Sequence, residues 1–105
     1  MKHINIIRAN DFSEKGMKRL IVHDSPYFKI LNFNFLPGQA LPLHAHDIEG
    51  QVSLLILEGE GDYLAGDDKT IPVAAGDMVV CDIAEPHGIR ARSAMRVVVT
   101  IAPPI

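Results

Sequence analysis

Residues 41–52 read LPLHAHDIEGQV and crowd nitrogen and oxygen donors into a short span. His44 and His46 are one residue apart. On a strand they point to the same side, about 7 Å apart at the root. Their imidazoles could then converge on one ion, roughly 2.0–2.1 Å from each nitrogen. A bare His-x-His is a weak signal, because two half-exposed loop histidines look the same. A third histidine, His87, follows AAGDMVVCDIAEP much later in the chain. It adds a ligand only if the fold sets its strand beside the His-x-His strand. Candidate oxygen donors follow His46. Gln51 offers a neutral amide oxygen and is the expected fourth ligand. Glu49 is the nearest acid, but its odd offset from His46 faces it away on a regular strand, unless Gly50 breaks that regularity. Asp47 reads as a turn residue.

The elements that would hold these residues are short. Glycine and proline recur from Gly16 to Gly88 and cut the chain into β-rich runs. These are RLIVHD, YFKILNFNFL, QVSLLILE, DYLA, MVVCDI, GIRAR and MRVVVTIA. Short strands with turn signals between them predict an all-β sandwich or barrel. QVSLLILE is apolar on both faces, which predicts a strand covered on both sides. No segment keeps helical spacing for three turns; the best helical candidate is NDFSEKGM, capped by Asn10 or Asp11 and ended by Gly16. The prolines of IAPPI end the last strand.

Totals narrow the function classes. A chain of 105 residues that is 48% apolar and 22% charged reads as one globular domain, residues 1–105. A net charge of −3 gives no basic footprint for nucleic acid. No apolar run approaches the roughly 20 residues of a membrane helix. The N-terminus lacks a signal peptide's long apolar segment, and the single cysteine, Cys81, excludes an internal disulfide. A cytoplasmic protein without nucleic-acid or membrane partners is expected.

With the glycines added, the histidines acquire a pattern. PGQALPLHAH, LILEGEG and AAGDMVVCDIAEPH resemble the two motifs of the cupin superfamily, with Gly38, His44, His46 and Gly59 on the first and Gly76, Asp77, Pro86 and His87 on the second. The motifs cover residues 38–88. The resemblance implies a double-stranded β-helix, or jelly-roll barrel, with at most one short helical turn near the N-terminus and the site inside the mouth. It implies a divalent transition metal (Fe, Ni, Zn, Mn or Cu) on the motif histidines, a small-molecule substrate or ligand, and a homodimer. The chain also departs from the family. The acidic ligand that usually follows the second histidine falls at Gly50 or Gln51 when counted forward, and at Val52 when counted back from Gly59. Cys81, Asp82, Ile83 and Ala84 stand where Ile-Pro-Pro-Gly is common, and Ala91 where Asn is common.

Other residues carry plainer readings. Cys81 reads as a small buried hydrophobe. His3 and His23 have no spaced partners. Alternation from His87 puts Ile89 and Ala91 on its face and Arg90 and Arg92 outside; Arg96 stays open. In YFKILNFNFL neither face is cleanly polar; if the even face looks inward, Asn32 and Asn34 become polar pocket residues. Three functions fit. The first is a metal-dependent enzyme, such as a dioxygenase-like oxidoreductase, isomerase or lyase. The second is a non-catalytic small-molecule binder or sensor, with or without metal. The third is a metal-free sugar isomerase or epimerase that would need a His–Tyr pair, for which Tyr63 is the available tyrosine.

Overall fold

Alternation along each strand decides which side of this molecule is dry. A computed structural model describes residues 1–105. It has one helical turn, α1 (Ile6–Ala9), and nine strands: β1 (Lys18–Asp24), β2 (Lys29–Phe35), β3 (Ala40–His44), β4 (Gln51–Glu58), β5 (Glu60–Ala65), β6 (Thr70–Ala74), β7 (Met78–Asp82), β8 (His87–Ala91) and β9 (Met95–Ala102). They form a five-stranded sheet in the order β1-β2-β9-β4-β7 and a four-stranded sheet in the order β3-β8-β5-β6. Every strand pairing is antiparallel. This is the double-stranded β-helix that the motifs imply. No helix is long and apolar enough to cross a membrane.

The core lies between the sheets. Phe33, Val52, Leu54, Ile56, Val97 and Val99 from the larger sheet pack in one cluster with Tyr63, Val73, Ile89 and Ala91 from the smaller. Fully burying each aliphatic side chain there contributes about 1.5–3 kcal/mol. In β4 the even positions Val52, Leu54 and Ile56 are buried, while Ser53 and Leu55 are only half-buried. Both-sided cover was expected of this strand, but its outer side is left partly open, with Leu57 37% exposed.

Two sequence readings change. The helical turn is Ile6–Ala9, not NDFSEKGM, because Asn5 caps it by accepting from the main-chain N–H of Ile7 and Arg8. Asn10 ends that turn instead of starting one. A strand at Thr70–Ala74 was not expected, because it carries Pro72; β6 is an edge strand, where a missing N–H is tolerated.

One glycine position shows why the motif needs glycine. Gly59 turns β4 into β5 with φ +83, and a Cβ there would collide with the Ala94 carbonyl. Any other residue would meet both an unfavourable backbone region and a steric block.

Candidate functional site

β3 and β8 run side by side, and their register places His44 directly opposite His87. The antiparallel pairing thus joins residues far apart in the chain, as the sequence reading required. The His44 and His87 rings meet edge-on with centroids 4.4 Å apart, and those of His44 and His46 lie 5.5 Å apart. His46 reaches the group from beyond the strand. β3 stops at His44, and the His46 N–H donates to the Ile83 carbonyl. The register also shifts between Leu41 and His44. Simple alternation along one strand is therefore not what aligns the pair.

Two of the rings are oriented by main chain. His44 Nδ1 lies 2.8 Å from the Pro42 carbonyl oxygen, and His87 Nδ1 lies 2.7 Å from that of Glu85. A carbonyl only accepts, so both Nδ1 atoms carry a proton, and in a neutral ring this leaves the lone pair on Nε2. Every buried side-chain nitrogen and oxygen in the molecule has a hydrogen-bond partner. His87 is 4% exposed and bonds only through Nδ1, so its Nε2 must reach open space. Burial holds the His87 pKa below the ordinary histidine value, opposed by the Glu85 carbonyl and aided by the neighbouring His44 and His46. The ring is therefore neutral near pH 7.

That space is a cavity of about 310 Å³, at the small end of ligand pockets. Its floor is the inner face of the larger sheet: Leu31, Phe33, Val52, Leu54, Val99 and Ile101. His44, His46 and His87 form its polar side, and Arg19 and Lys29 also line it. The donor set suits a transition metal: three imidazoles, two of them held at Nδ1 by the carbonyl contacts typical behind metal-bound histidine. Yet no three His, Cys, Asp or Glu side chains are already arranged around an ion position. The rings touch edge-on, so holding an ion would need their planes to turn.

The expected fourth ligand is elsewhere. Gln51 pairs with Asp82 of β7, is exposed, and points its amide to the Asp82 carboxylate at 3.4 Å. Ile48, Glu49, Gly50 and Gln51 line a separate outer cleft with Asp82 and Ala84. The structure therefore does not bring Gln51 or Glu49 to the histidines. The residue facing them from β4 is Val52, 2% exposed. Counting back from Gly59 finds this position; counting forward from His46 misses it, because the backbone irregularity falls between. Gly50 supplies part of it: its φ is +154, and a Cβ there would clash with Ala102 and Pro103.

Asn32 and Asn34 are corrected as well. Odd positions of β2 face the cavity, and both asparagines are fully buried on the opposite face under the N-terminal segment. Asn10 Nδ2 donates to Asn32 Oδ1 at 2.8 Å, and Asn34 Nδ2 donates to the carbonyls of Asn10 and Asp11 at 3.0 Å. Arg96 joins them. Its Nη1 donates to the Asn10 carbonyl at 3.0 Å, Nε pairs with Glu58 at 3.1 Å, and the guanidinium lies 4.7 Å from the Phe12 ring centre. Arg90 and Arg92 are outside, as alternation predicts, and Arg92 pairs with Asp62 at 3.4 Å. Tyr63 is buried with its hydroxyl 3.5 Å from the Cys81 sulfur and does not line the cavity. This removes the support for a His–Tyr acid–base pair. The sequence reading missed Arg19 and Lys29; both sit on the cavity-facing side of β1 and β2, a parity visible only once the inner face is known.

The profile of a family described as "Cupin domain" matches residues 31–101. An RmlC-like cupin protein from Desulfovibrio desulfuricans is 45% identical over 100% of this chain and 99% of its own, with a TM-score of 0.95. Ectoine synthase from P. lautus is 29% identical over 74% of this chain and 55% of its own, with a TM-score of 0.63. TT1209 from Thermus thermophilus is 25% identical over 100% of both chains, with a TM-score of 0.89. No curated protein matches the chain.

Proposed function

The chain belongs to the cupin superfamily, and from that premise we propose that it is a metal-dependent enzyme acting on a small molecule in the histidine-lined cavity. The observation that carries this is the trio His44, His46 and His87 at an apolar cavity, with two Nδ1 atoms held by main-chain carbonyls. These residues would hold a divalent transition ion through Nε2. When bound, such an ion supplies a Lewis acid that polarises a substrate oxygen, the chemistry shared by dioxygenase-like, isomerase and lyase reactions. The chain's own part is to fix the imidazole tautomers, line the site with apolar walls and exclude bulk water. No side chain of the cavity is a dedicated carboxylate acid or base. Likeness to an enzyme, ectoine synthase, supports catalysis in this family without assigning a reaction.

A second reading is a non-catalytic small-molecule binder. Val52 favours it, because a valine stands where a ligand carboxylate would face the histidines. Metal analysis separates the two. Purified protein reconstituted with first-row divalent ions is expected to retain metal, and His87→Ala to weaken retention by roughly tenfold or more. Failure to hold any such ion after reconstitution overturns the metal-dependent reading. Oxygen uptake with thiol, diketone and flavonol substrates then sorts dioxygenase from isomerase or lyase chemistry.

The proposal extends to a homodimer. Met78 and Val80 on β7 are 61% and 63% exposed, and their β4 partners Leu55 and Ser53 lie on the same outer face. A second copy covering this apolar strip would complete the burial that β4 lacks. Light scattering that returns a monomer mass across micromolar concentrations removes this extension.

A further inference from the structure

We infer that the cavity selects a small carboxylate with an apolar body, its carboxylate received at one of the two cavity cations, Arg19 or Lys29; this rests on the cavity being the substrate site, but not on the metal. The chain has 13 acidic residues against 10 lysines and arginines. Its cavity inverts that balance: the lining includes Arg19 and Lys29 and no aspartate or glutamate. The structure has two salt bridges, Arg92–Asp62 and Arg96–Glu58, both on other faces. Neither cavity cation is in a salt bridge, although Asp24 stands opposite Lys29 across β1 and β2. Lys29 donates to the main-chain oxygen of Ile105 at 3.1 Å, and the side chain of Arg19, an exposed residue, makes no hydrogen bond within the chain. A guanidinium beside apolar walls, without an internal acceptor, presents a planar fork suited to a carboxylate.

The layout sets the ligand's shape. Arg19 is on β1, the edge of the five-stranded sheet, opposite Phe33, and Lys29 is on β2, opposite Ile101. His44 and His87 are on β3 and β8 of the facing sheet. The His46 N–H binds the Ile83 carbonyl, and the Ile83 N–H binds the Gly50 carbonyl just before β4. From β1 to β4 is three strand spacings, roughly 14 Å, and from β2 two, roughly 10 Å. Between them run Leu31, Val99 and Leu54, adjacent in register across β2, β9 and β4. A bound carboxylate therefore lays its apolar body on this floor, across the cavity from the histidines. The cavity of about 310 Å³ holds on the order of ten waters' volume, so the ligand is small. Nine of its 14 lining residues are hydrophobic, which disfavours sugars and other polyhydroxylated bodies.

Titration calorimetry on metal-stripped full-length protein tests this with 3-phenylpropanoate, 3-phenylpropanamide, acetate and phenyl phosphate. The carboxylate is expected to bind roughly tenfold tighter than its amide, because charge-assisted bonds are the stronger kind. Acetate, lacking the apolar body, is expected to bind far more weakly. Arg19→Gln with Lys29→Gln should bring the acid down to the amide's affinity while leaving the amide unchanged, and Arg19→Gln alone should remove part of the preference. Equal binding of acid and amide, binding of neither, tighter binding of acetate or phenyl phosphate, or a preference that survives in the double variant each overturns the assignment. The titration uses no metal. Loss of the metal reading would leave this result standing, and retained metal without carboxylate preference would remove this inference alone.

Discussion

The two faces of strand β2 carry polarity of opposite kinds. Outward, Asn32 and Asn34 are fully buried and every bond they make ends inside the chain, on Asn10, Asp11, Val97 and each other. Inward, the cavity is lined by three histidines and two cations, with the His44 and His87 rings held from behind by main-chain carbonyls. A buried polar group with all its partners internal stabilises a fold. One that is held from behind and open in front is waiting for a partner from outside. The outer cluster therefore reads as the clamp that fastens the N-terminal segment to the sheet, and the inner one as the site.

The largest expected effect breaks the clamp. Asn32→Leu removes the acceptor for Asn10 Nδ2 and the donor to Asn34 Oδ1 and the Val97 carbonyl. Leaving buried groups unpaired costs on the order of 1–3 kcal/mol each, so a loss of about 3 kcal/mol is expected. For a domain this size that lowers Tm by about 15 °C. Metal retention measured well below the new Tm should not change. A matching loss of metal affinity would show that the two faces act as one.

Val52→Glu sharpens the same contrast from inside. It places a carboxylate on the cavity face, where its neighbours in register are Cys81 and Ile101. Burying it without a cation costs about 2 kcal/mol of apoprotein stability. With a divalent ion present the same group adds an anionic ligand, and affinity should rise by about tenfold. Denaturant titration and competitive metal titration measure the two arms. A variant that loses stability without gaining affinity would mean that position 52 does not face the ion.

Tyr63 and Cys81 lie between the two extremes, a buried pair joined by one long contact of 3.5 Å. Burial raises the tyrosine well above its ordinary pKa and also raises the thiol. Both groups therefore keep their protons in the folded chain at pH values where the unfolded chain gives them up. Their contribution is intact below the ordinary thiol value of 9.0 and is lost as pH rises above it, with tyrosine adding its part above 10.0. Stability should fall between about pH 9 and 11, and Tyr63→Phe should flatten the upper part of that fall. The thiol should also react slowly with iodoacetamide at about pH 8 in the native state and quickly after denaturation. An equal rate in both states would remove Cys81 from the core.

The strands and the histidine trio were legible because each has a local or motif-level signature. Punctuated β-rich runs predict the strands, and His44 and His87 meet because glycine-anchored motifs fix where β3 and β8 begin. What stayed hidden depended on parity. Whether Asn32 or Phe33 faces the cavity depends on which side the N-terminal segment covers, a contact between residues 22 apart. Whether Gln51 or Val52 faces it depends on how many residues the backbone spends between His46 and β4. Composition records neither, and a single-residue slip exchanges the two faces of a strand.

Gln51→Ala is the smallest expected effect and isolates that slip. Gln51 shares its face with Ser53 and Leu55, both half-buried on the outer side, whereas Val52 and Leu54 line the cavity. Its amide has one long contact, 3.4 Å to Asp82, at an exposed position where hydrogen bonds contribute little. Stability should stay within about 0.5 kcal/mol of the parent. Metal affinity should stay within about twofold, because an amide aimed at Asp82 cannot serve the cavity without turning the strand over. Competitive metal titration of this variant beside Val52→Glu measures the point directly. A tenfold loss on Gln51→Ala would mean that the backbone at Gly50 rearranges when an ion binds, carrying residue 51 from the outer face to the inner one.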